Sequence, residues 1–159
     1  MHSSGVVILH YNSETRTVSI LKKFVIPTPP GGSIGHALWI IYNELTKILA
    51  LLDMKIFVRE QAVPAHFIDY NRLMRVCGAS DVALWNIKKE VFYDIPPSTA
   101  KKRIAGRGTA RKDEVARGLV RYVGEQEYET NDVSDATAVG ITFLIKGGYI
   151  DAIPDPLPN

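Results

Sequence analysis

The chain has 159 residues, a normal length for one domain and enough to bury a hydrophobic core. With 46% hydrophobic and 23% charged residues, its composition is globular and argues against a disordered or fibrous protein. The formal net charge is only +2, and the single cysteine, Cys77, excludes an internal disulfide and suits a reducing compartment. The sequence shows no signal-peptide pattern and no apolar run long enough to span a bilayer, so we expect a cytoplasmic protein without membrane contact.

The first predicted elements are two strands and a helix. Residues 5–10 form an apolar run typical of a buried strand, and residues 18–26 are predicted to return as the second strand of a hairpin. A loop rich in proline and glycine follows over residues 27–32. The spacing then predicts a helix over residues 36–52, because apolar residues recur every three or four positions at Leu38, Ile41, Leu45, Ile48 and Leu52.

The second half alternates short strands with helices. Strands are predicted over residues 55–60 and 91–93, and helices over 69–89, 98–105, 112–123 and 132–146. In the helix over 69–89, Gly78 costs roughly 1 kcal/mol relative to alanine, and we expect the inward side chains to be Leu73, Val76, Leu84 and Ile87. Trp39 and Trp85 are predicted to be core residues. The element order β-β-α-β-α-β-α-α-α predicts one three-layer α/β domain over residues 1–153, with an irregular tail at 154–159.

Charge is concentrated in two neighbouring segments of the second half. Residues 101–121 carry eight basic side chains against two acids, whereas the following stretch to Asp135 carries five acids and no base. A solvated helical face is the ordinary explanation of a charge run, but this segregation favours a polyanion-binding surface beside a cation-binding pocket. Gly106 and Gly108 would let the backbone approach a phosphate. The basic residues are Lys101, Lys102, Arg103, Arg107, Arg111, Lys112, Arg117 and Arg121.

Three acids are candidate metal ligands. Asp132 and Asp135 would share one face of the last helix, where their charges repel unless a cation lies between them. Acids that begin a helix are also common without any ligand. Glu60 ends a predicted strand, where α/β sheets place ligand sites, although a solvated glutamate is common there too. Three carboxylates beside a cationic surface are what a metal-dependent nuclease requires.

Three segments resemble the RuvC family of Holliday junction resolvases. Ile56-Phe57-Val58-Arg59-Glu60-Gln61 is similar to that family's strand followed by Glu-Gln. The segment from Lys101 through Gly106 and Gly108 to Lys112 and Val115 resembles its glycine-spaced, lysine-containing DNA-binding segment. Asp132-Val133-Ser134-Asp135-Ala136 resembles its closing pair of aspartates. The motifs keep their order over residues 5–147, and the divergence is typical of a phage version.

The resemblance implies an RNase H-like fold, a mixed sheet flanked by helices, and Mg²⁺-dependent nicking of four-way and other branched DNA junctions, with Mn²⁺ able to substitute. It implies that Glu60, Asp132 and Asp135 are catalytic metal ligands. It also implies a homodimer with the helix over 69–89 in its interface, in the cytoplasm of a bacterium or a phage-infected host. The family's aromatic wedge is not matched, because Val63 stands at its position. Phe67, which is predicted to lie in a loop soon after Glu60, is a candidate substitute, although core packing is the more ordinary role of such a residue. The implied DNA-binding residues are Lys101, Lys102, Arg103, Arg107, Arg111 and Lys112.

One part of the family pattern has no counterpart in this sequence. The family begins with a central strand that ends in a fourth carboxylate, an Asp, whereas this sequence starts at Met1 where the next segment begins. Loss of a central strand would expose backbone and apolar surface. The open explanations are a shortened chain or misassigned start, another element in the same place, or a descendant that binds without cutting. Asp94 is the only nearby acid that could stand in.

Two functions from different classes are therefore expected. The first is a structure-selective endonuclease that hydrolyses phosphodiesters with two metal ions and reads junction shape through backbone phosphates. The alternative is a branched-DNA-binding protein with weak or no cleavage. A nucleotide- or sugar-phosphate-handling enzyme is a third possibility, but no phosphate-loop motif supports it.

Overall fold

A computed structural model of the chain describes residues 3–64 and 67–154. Its elements follow the predicted order, and the α/β class is confirmed. Strand β1 pairs with β2, and β3 pairs with β4. The elements are β1 (Ser3–Asn12), β2 (Thr17–Pro27), α1 (Ile34–Leu51), β3 (Val58–Glu60), α2 (Phe67–Lys88), β4 (Tyr93–Ile95), α3 (Pro97–Ala105), α4 (Lys112–Val123) and α5 (Asn131–Lys146).

The chain divides into two compact units. The first comprises the residues up to Ser4 together with Ile26–Asp94, and the second comprises Gly5–Val25 together with the chain from Ile95 onward. A single domain over residues 1–153 stays a prediction. The predicted tail at 154–159 lies almost entirely outside the described residues.

The first unit is built on the packing of α1 against α2. The Ser33 side chain caps α1 by accepting a hydrogen bond from the backbone N–H of His36 at 3.2 Å. The amide of Asn86 donates to the Tyr42 hydroxyl at 2.9 Å and so ties the two helices together. The buried apolar side chains of the two helices are Ile41, Leu45, Ile48, Leu49, Ala83 and Leu84.

The second unit gathers α3, α4 and α5 with most of the β1–β2 hairpin. The hairpin turns at Asn12, whose side-chain oxygen accepts from the backbone N–H groups of Glu14 and Thr15 at 2.9 and 3.1 Å. Helix α5 supplies much of the core of this unit, because its buried residues are Val133, Ser134, Thr137, Ala138, Val139, Ile141, Thr142 and Leu144. Ile104 of α3 and Leu119 of α4 are fully buried.

Several predictions about individual side chains are wrong. Trp39 and Trp85 are 64% and 55% exposed, so neither is a core residue. On α2, Leu84 is buried as predicted, but Leu73 and Ile87 are exposed. The helix therefore has apolar side chains on more than one side, and periodicity alone did not tell which side is buried.

The expected burial of the first strand and the expected location of Phe67 both need correction. The strand over residues 5–10 is mostly half-buried, with Ile8 its buried apolar residue. Phe67 is the first residue of α2 and does not lie in a loop. Its side chain lies outside the described part of the chain, so its role as a wedge stays a prediction. No helix within the described residues is long and apolar enough to cross a membrane.

Candidate metal centre and nucleic-acid interface

The first two turns of α5 carry the predicted aspartate pair. Asp132 lies in the first turn and Asp135 lies three residues later. Val133 and Ser134, between them, are buried, and the Ser134 hydroxyl donates to the Asn131 carbonyl at 2.8 Å. Burial of these two side chains fixes the rotation of α5 about its axis. Both aspartates are consequently held at the half-buried edge of the helix.

The electrostatic surroundings of Asp135 connect four predicted site residues. Burial is the largest effect and raises the pKa of the Asp135 carboxyl above its ordinary value, and Asp132 raises that pKa further. The ammonium groups of Lys112 and Lys101 act in the opposite direction and favour the ionised carboxylate. The structure therefore brings the two aspartates and the two lysines into one electrostatic group.

Local structure explains why both lysines lie near enough to α5 to act electrostatically on Asp135. Lys101 lies in α3, which packs against α5, and Lys112 is the first residue of α4, which also packs against α5. Between these helices, Gly106 ends α3 with a left-handed φ of 80° that glycine adopts most easily. The carboxylate of Glu114 accepts from the backbone N–H of Arg111 at 2.6 Å and also pairs with the Arg107 guanidinium. These bonds order the turn that leads into Lys112.

A close backbone approach at Gly5 was missed by the sequence analysis. A Cβ atom added to Gly5 would lie 2.3 Å from the carbonyl carbon of Asp132, so only glycine lets β1 pass this close to the first turn of α5. In the sequence the only signal is a glycine directly before the apolar run of β1. The same strand supports α5 again at Leu9, whose methyl group faces Gly140.

The basic segment divides into exposed and inward-facing side chains. Lys102, Arg103, Arg107 and Arg111 are exposed, so they can meet a polyanion. Arg121 is different, because its guanidinium donates to the Ile104 carbonyl at 2.6 Å and so ties α4 to α3. The glycines of this segment also have structural explanations. Gly106 ends α3, and a Cβ on Gly108 would lie 3.3 Å from the Ser98 carbonyl oxygen.

Glu60, the third predicted ligand, is an exposed residue at the end of β3 in the first unit. Among residues 3–64 and 67–154, no group of three or more His, Cys, Asp or Glu side chains could hold a metal ion. The role of Glu60 as a ligand therefore stays a prediction. Asp94, the candidate stand-in acid, uses both carboxylate oxygens to bind the Arg59 guanidinium, at 2.9 and 3.4 Å.

The aspartate pair fits a hard divalent cation. Carboxylate oxygens are the donors that Mg²⁺ prefers, and one or two protein carboxylates are enough where substrate phosphates and water complete the coordination. Burial of Asp135 beside Asp132 also leaves negative charge that a cation would neutralise. Asp132 and Asp135 are therefore the residues that would hold the metal.

Comparison with known proteins identifies relatives of this chain. The sequence model of the family described as crossover junction endodeoxyribonuclease RuvC matches residues 2–143. The crossover junction endodeoxyribonuclease RuvC of Ehrlichia ruminantium (strain Gardel) is 27% identical over 149 residues, which cover 91% of each chain. That of Sulfurovum sp. (strain NBC37-1) is 33% identical over 95 residues, which cover 55% of this chain and 58% of the relative.

A solved structure shows the same fold. Thermus thermophilus RuvC in complex with its Holliday junction substrate superposes with a TM-score of 0.74 at 22% identity, covering 91% of this chain and 88% of the other. The fold is thus RNase H-like, as the motifs had implied. The family match spans most of the sequence and includes Glu60, Lys101, Lys112 and both aspartates. The chain belongs to the RuvC family of crossover junction endodeoxyribonucleases.

Proposed function

We propose that this protein is a structure-selective endonuclease that binds four-way and other branched DNA junctions and nicks them by metal-dependent hydrolysis. Family membership supports the reaction class. The existence of a related RuvC solved on a Holliday junction supports the substrate class. The observation in this chain that carries the proposal is the electrostatic group formed by Asp132, Asp135, Lys101 and Lys112.

The family is one of divalent-metal-dependent nucleases, and we infer that the ion here is Mg²⁺, with Mn²⁺ able to substitute. Asp132 and Asp135 would hold it, and Glu60 is the predicted third ligand. When bound, the metal supplies Lewis-acid stabilisation of the phosphodiester and lowers the pKa of a coordinated water. The protein's own contribution is to limit the rise in the pKa of the Asp135 carboxyl. Lys112 and Lys101 lower its pKa against the effect of burial.

The two lysines also suit the DNA itself. Lys101 is half-buried and Lys112 is exposed, and both act electrostatically on Asp135. An ammonium group in this position binds a backbone phosphate without reading a base, which is what recognition by junction shape requires. The exposed side chains of Lys102, Arg103, Arg107 and Arg111 extend the same cationic surface.

Incubation of end-labelled four-way junctions with Mg²⁺ or Mn²⁺ tests the proposal. We expect symmetric nicks in opposing strands, no cutting of a linear duplex of the same sequence, and no product from Asp135→Asn. A gel shift without product from the unsubstituted chain would favour the alternative, a branched-DNA-binding protein with weak or no cleavage. If the chain gives neither cleavage product nor gel shift, both the endonuclease and the binding-only alternative are wrong.

We also propose that the protein acts as a homodimer through the exposed face of α2. This face contains Met74, Gly78, Val82 and Trp85, which are spaced by three or four residues and therefore lie on one side of the helix. The three apolar side chains are 46%, 54% and 55% exposed, and a Cβ on Gly78 would meet no atom within 4 Å. Exposed apolar residues in such a row favour burial against another protein surface.

Charge along α2 favours a second copy in antiparallel orientation. With a two-fold axis at Gly78, Met74 of one copy meets Val82 of the other, and Arg75 meets Asp81. Both pairs form twice because a two-fold interface is self-complementary. Asp81 is 54% exposed while one of its oxygens binds Arg59, so its carboxylate can still accept a second cation.

Cysteine cross-linking tests this register. In a Cys77→Ser background, Gly78→Cys should form a disulfide-linked dimer on mild oxidation, because residues near a two-fold axis face their own copies. Lys47→Cys, exposed on α1, is the matched control and should stay monomeric on a non-reducing gel. A monomer by light scattering at micromolar concentration, with and without DNA, would contradict the homodimer.

A further inference from the structure

A shallow groove beside the C-terminal half of α2 combines apolar walls with two carboxylates. Its volume is about 320 Å³, and it is lined by Asp81, Val82, Trp85, Glu90 and Val91. Val82, Trp85 and Val91 are 54%, 55% and 66% exposed. Large apolar side chains that line a groove and remain open to solvent favour burial against another molecule.

Backbone geometry fixes the two walls of this groove. One wall is a side of α2, and the other is the segment between α2 and β4, which contributes Glu90 and Val91. At the junction of the two, Lys89 has a left-handed φ of 58°, which is uncommon outside glycine. The backbone N–H of Lys89 donates to the Trp85 carbonyl at 3.1 Å. The helix thus ends in a fixed turn, and the chain that follows forms the second wall.

The chemistry of the groove suits the side chain of an arginine. A guanidinium stacks on aromatic rings and binds carboxylates through paired hydrogen bonds, while its aliphatic stem packs on apolar surface. Trp85 provides the ring, and the Lys89 ammonium already lies 5.7 Å from the centroid of that ring, so a cation at the indole has a precedent within the chain. Asp81 and Glu90 provide the carboxylates. Asp81 binds Arg59 through Oδ1, yet its side chain stays 54% exposed.

Arg75 is the arginine that the proposed homodimer brings to this groove. With the two-fold axis at Gly78, residues three positions before and after Gly78 lie opposite each other, so the partner's Arg75 faces Asp81. Asp81 is the lining residue nearest to the axis along α2, and the groove continues from there to Trp85, one helical turn further. Arg75 is exposed and forms no ion pair with any residue in the ranges 3–64 and 67–154. Its guanidinium is therefore available to a second copy.

The charges along α2 also disfavour the opposite orientation of the two helices. If the helices ran parallel about the two-fold axis, each residue would meet its own copy. Arg75 would then face the partner's Arg75, and Asp81 would face the partner's Asp81. Like charges in such positions destabilise an interface, whereas the antiparallel arrangement forms two contacts between arginine and carboxylate.

We propose that in the homodimer each groove receives the guanidinium of the partner's Arg75, which lies against Trp85 and binds Asp81 and Glu90. This inference rests on the proposed homodimer and deepens it, because it names the side chain that fills the groove and gives Glu90 and Trp85 a role in assembly. The contact forms twice by symmetry. It therefore sets both the register and the antiparallel orientation of the two helices.

Charge reversal at Arg75 tests this contact. Arg75→Glu would place a carboxylate against Asp81 and Glu90, and Arg75→Glu combined with Glu90→Arg would restore an attractive pair in each groove. The readout is the Kd of the dimer, measured by sedimentation equilibrium without DNA or metal. The matched control is Arg72→Glu, which changes the same charge on an exposed residue of α2. Position 72 lies roughly 120° around the helix from Gly78 and thus outside the proposed interface.

We expect Arg75→Glu to raise the dimer Kd by about 30-fold or more, because both symmetric contacts become repulsive. The double variant should recover most of this loss, and Arg72→Glu should leave the Kd unchanged. If the unsubstituted chain dimerises and the two single variants have the same Kd, Arg75 does not occupy the groove. The inference is then overturned while the homodimer stands. If the unsubstituted chain is a monomer, the proposed homodimer and this inference fail together.

Tryptophan fluorescence gives an independent readout of the groove. The chain has two tryptophans, so Trp85 is the only one in a Trp39→Phe background. Its emission should move to shorter wavelength as the protein concentration rises through the dimer Kd, because the indole leaves water. Arg75→Ala should reduce this shift at concentrations where the variant is also dimeric. Identical emission from the two dimers would show that Arg75 does not cover Trp85, and the inference would be overturned.

Discussion

Asp135 shows how a ligand role and the stability of the metal-free fold oppose each other at a single residue. Burial and the neighbouring Asp132 raise its pKa, so ionisation of this carboxyl is less favourable in the folded protein than in the unfolded chain. A metal ligand must instead be ionised. Lys112 and Lys101 partly restore the ionised form. A bound cation would offset the remaining electrostatic cost of ionising this carboxyl.

Asp135→Asn should therefore leave the free energy of unfolding of the metal-free protein equal or higher, because it removes a half-buried charge beside Asp132. The same substitution should abolish the stabilisation by Mg²⁺, which arises from binding to the folded state alone. Thermal melts with and without Mg²⁺ measure both effects. Asp113→Asn, an exposed acid of α4, is the control and should keep the Mg²⁺ effect. If Asp135→Asn instead lowers metal-free stability markedly and keeps the Mg²⁺ effect, Asp135 is an ordinary helix-start acid.

The raised pKa of Asp135 should also make the stability of the metal-free protein depend on pH. The folded-state pKa of Asp135 is raised, so its stabilising contribution is fully present below the unfolded pKa of about 3.9 and is lost as pH rises through the folded pKa. The stability of Asp135→Asn relative to the unsubstituted chain should thus increase from acid to neutral pH. Urea denaturation without metal across this range measures the difference.

Glu114 provides a control for that experiment, because its pKa shift has the opposite sign. The bond from the Arg111 backbone N–H lowers the pKa of the Glu114 carboxyl, so its contribution is present above the unfolded pKa and is lost as pH falls through the folded pKa. Glu114→Gln should lose stability at neutral pH and match the unsubstituted chain in acid. Parallel pH profiles for the two variants would contradict at least one of the two assignments.

At the scale of elements, the sequence predicted helices best where one apolar face is clear. Helix α4 was predicted over residues 112–123 and is observed as Lys112–Val123, since Val115, Leu119 and Tyr122 all lie in the core. Helix α2 was located but its buried side was not, because apolar residues such as Leu73 and Trp85 lie on surfaces that the chain leaves exposed.

The candidate site was predictable only in part, for a related reason. The motifs identified Asp132, Asp135 and the lysines, and the structure brings these residues together. The bonds of Arg59 and the close approach of Gly5 were not predictable. Each depends on backbone placed by tertiary packing, such as the Asp94 carboxylate 35 residues away from Arg59. Local residue patterns carry no information about such distances.

Helix packing in the second unit predicts different costs for two glycine substitutions. A Cβ on Gly118 of α4 would lie 2.3 Å from the backbone oxygen of Ile104, whereas a Cβ on Gly140 of α5 would lie 2.7 Å from a terminal methyl of Leu9. Backbone cannot move away as a side-chain tip can. Gly118→Ala should cost about 1–3 kcal/mol in the free energy of unfolding, and Gly140→Ala should cost less. Chemical denaturation measures both, with Gly35→Ala in the open first turn of α1 as a control that loses no stability. Equal costs at positions 118 and 140 would contradict the close α3–α4 packing.

At the scale of the whole molecule, the net charge of +2 conceals a segregated distribution. The basic residues of α3, of the turn after it and of the start of α4 lie in the same unit as the aspartate pair. Within this group, Arg107 and Arg111 are partly neutralised by Glu114 and Asp113. Lys101 and Lys112 should therefore each contribute more to polyanion binding than Arg107 or Arg111 does.

Replacement of Lys101 and Lys112 by alanine together should weaken junction binding and make it less dependent on salt. Each phosphate contact that is lost removes a released counterion, so the slope of log affinity against log salt should fall by about 0.9 per contact. Binding is measured without divalent metal, so that the lysines' effect on Asp135 does not enter through metal affinity. The matched control replaces Lys47 and Lys55, which pair with Glu44 and Asp53 in the first unit, and it should leave the slope unchanged. An unchanged slope in the Lys101 and Lys112 variant would remove these two lysines from the DNA interface. Their remaining role would then be to lower the pKa of the Asp135 carboxyl.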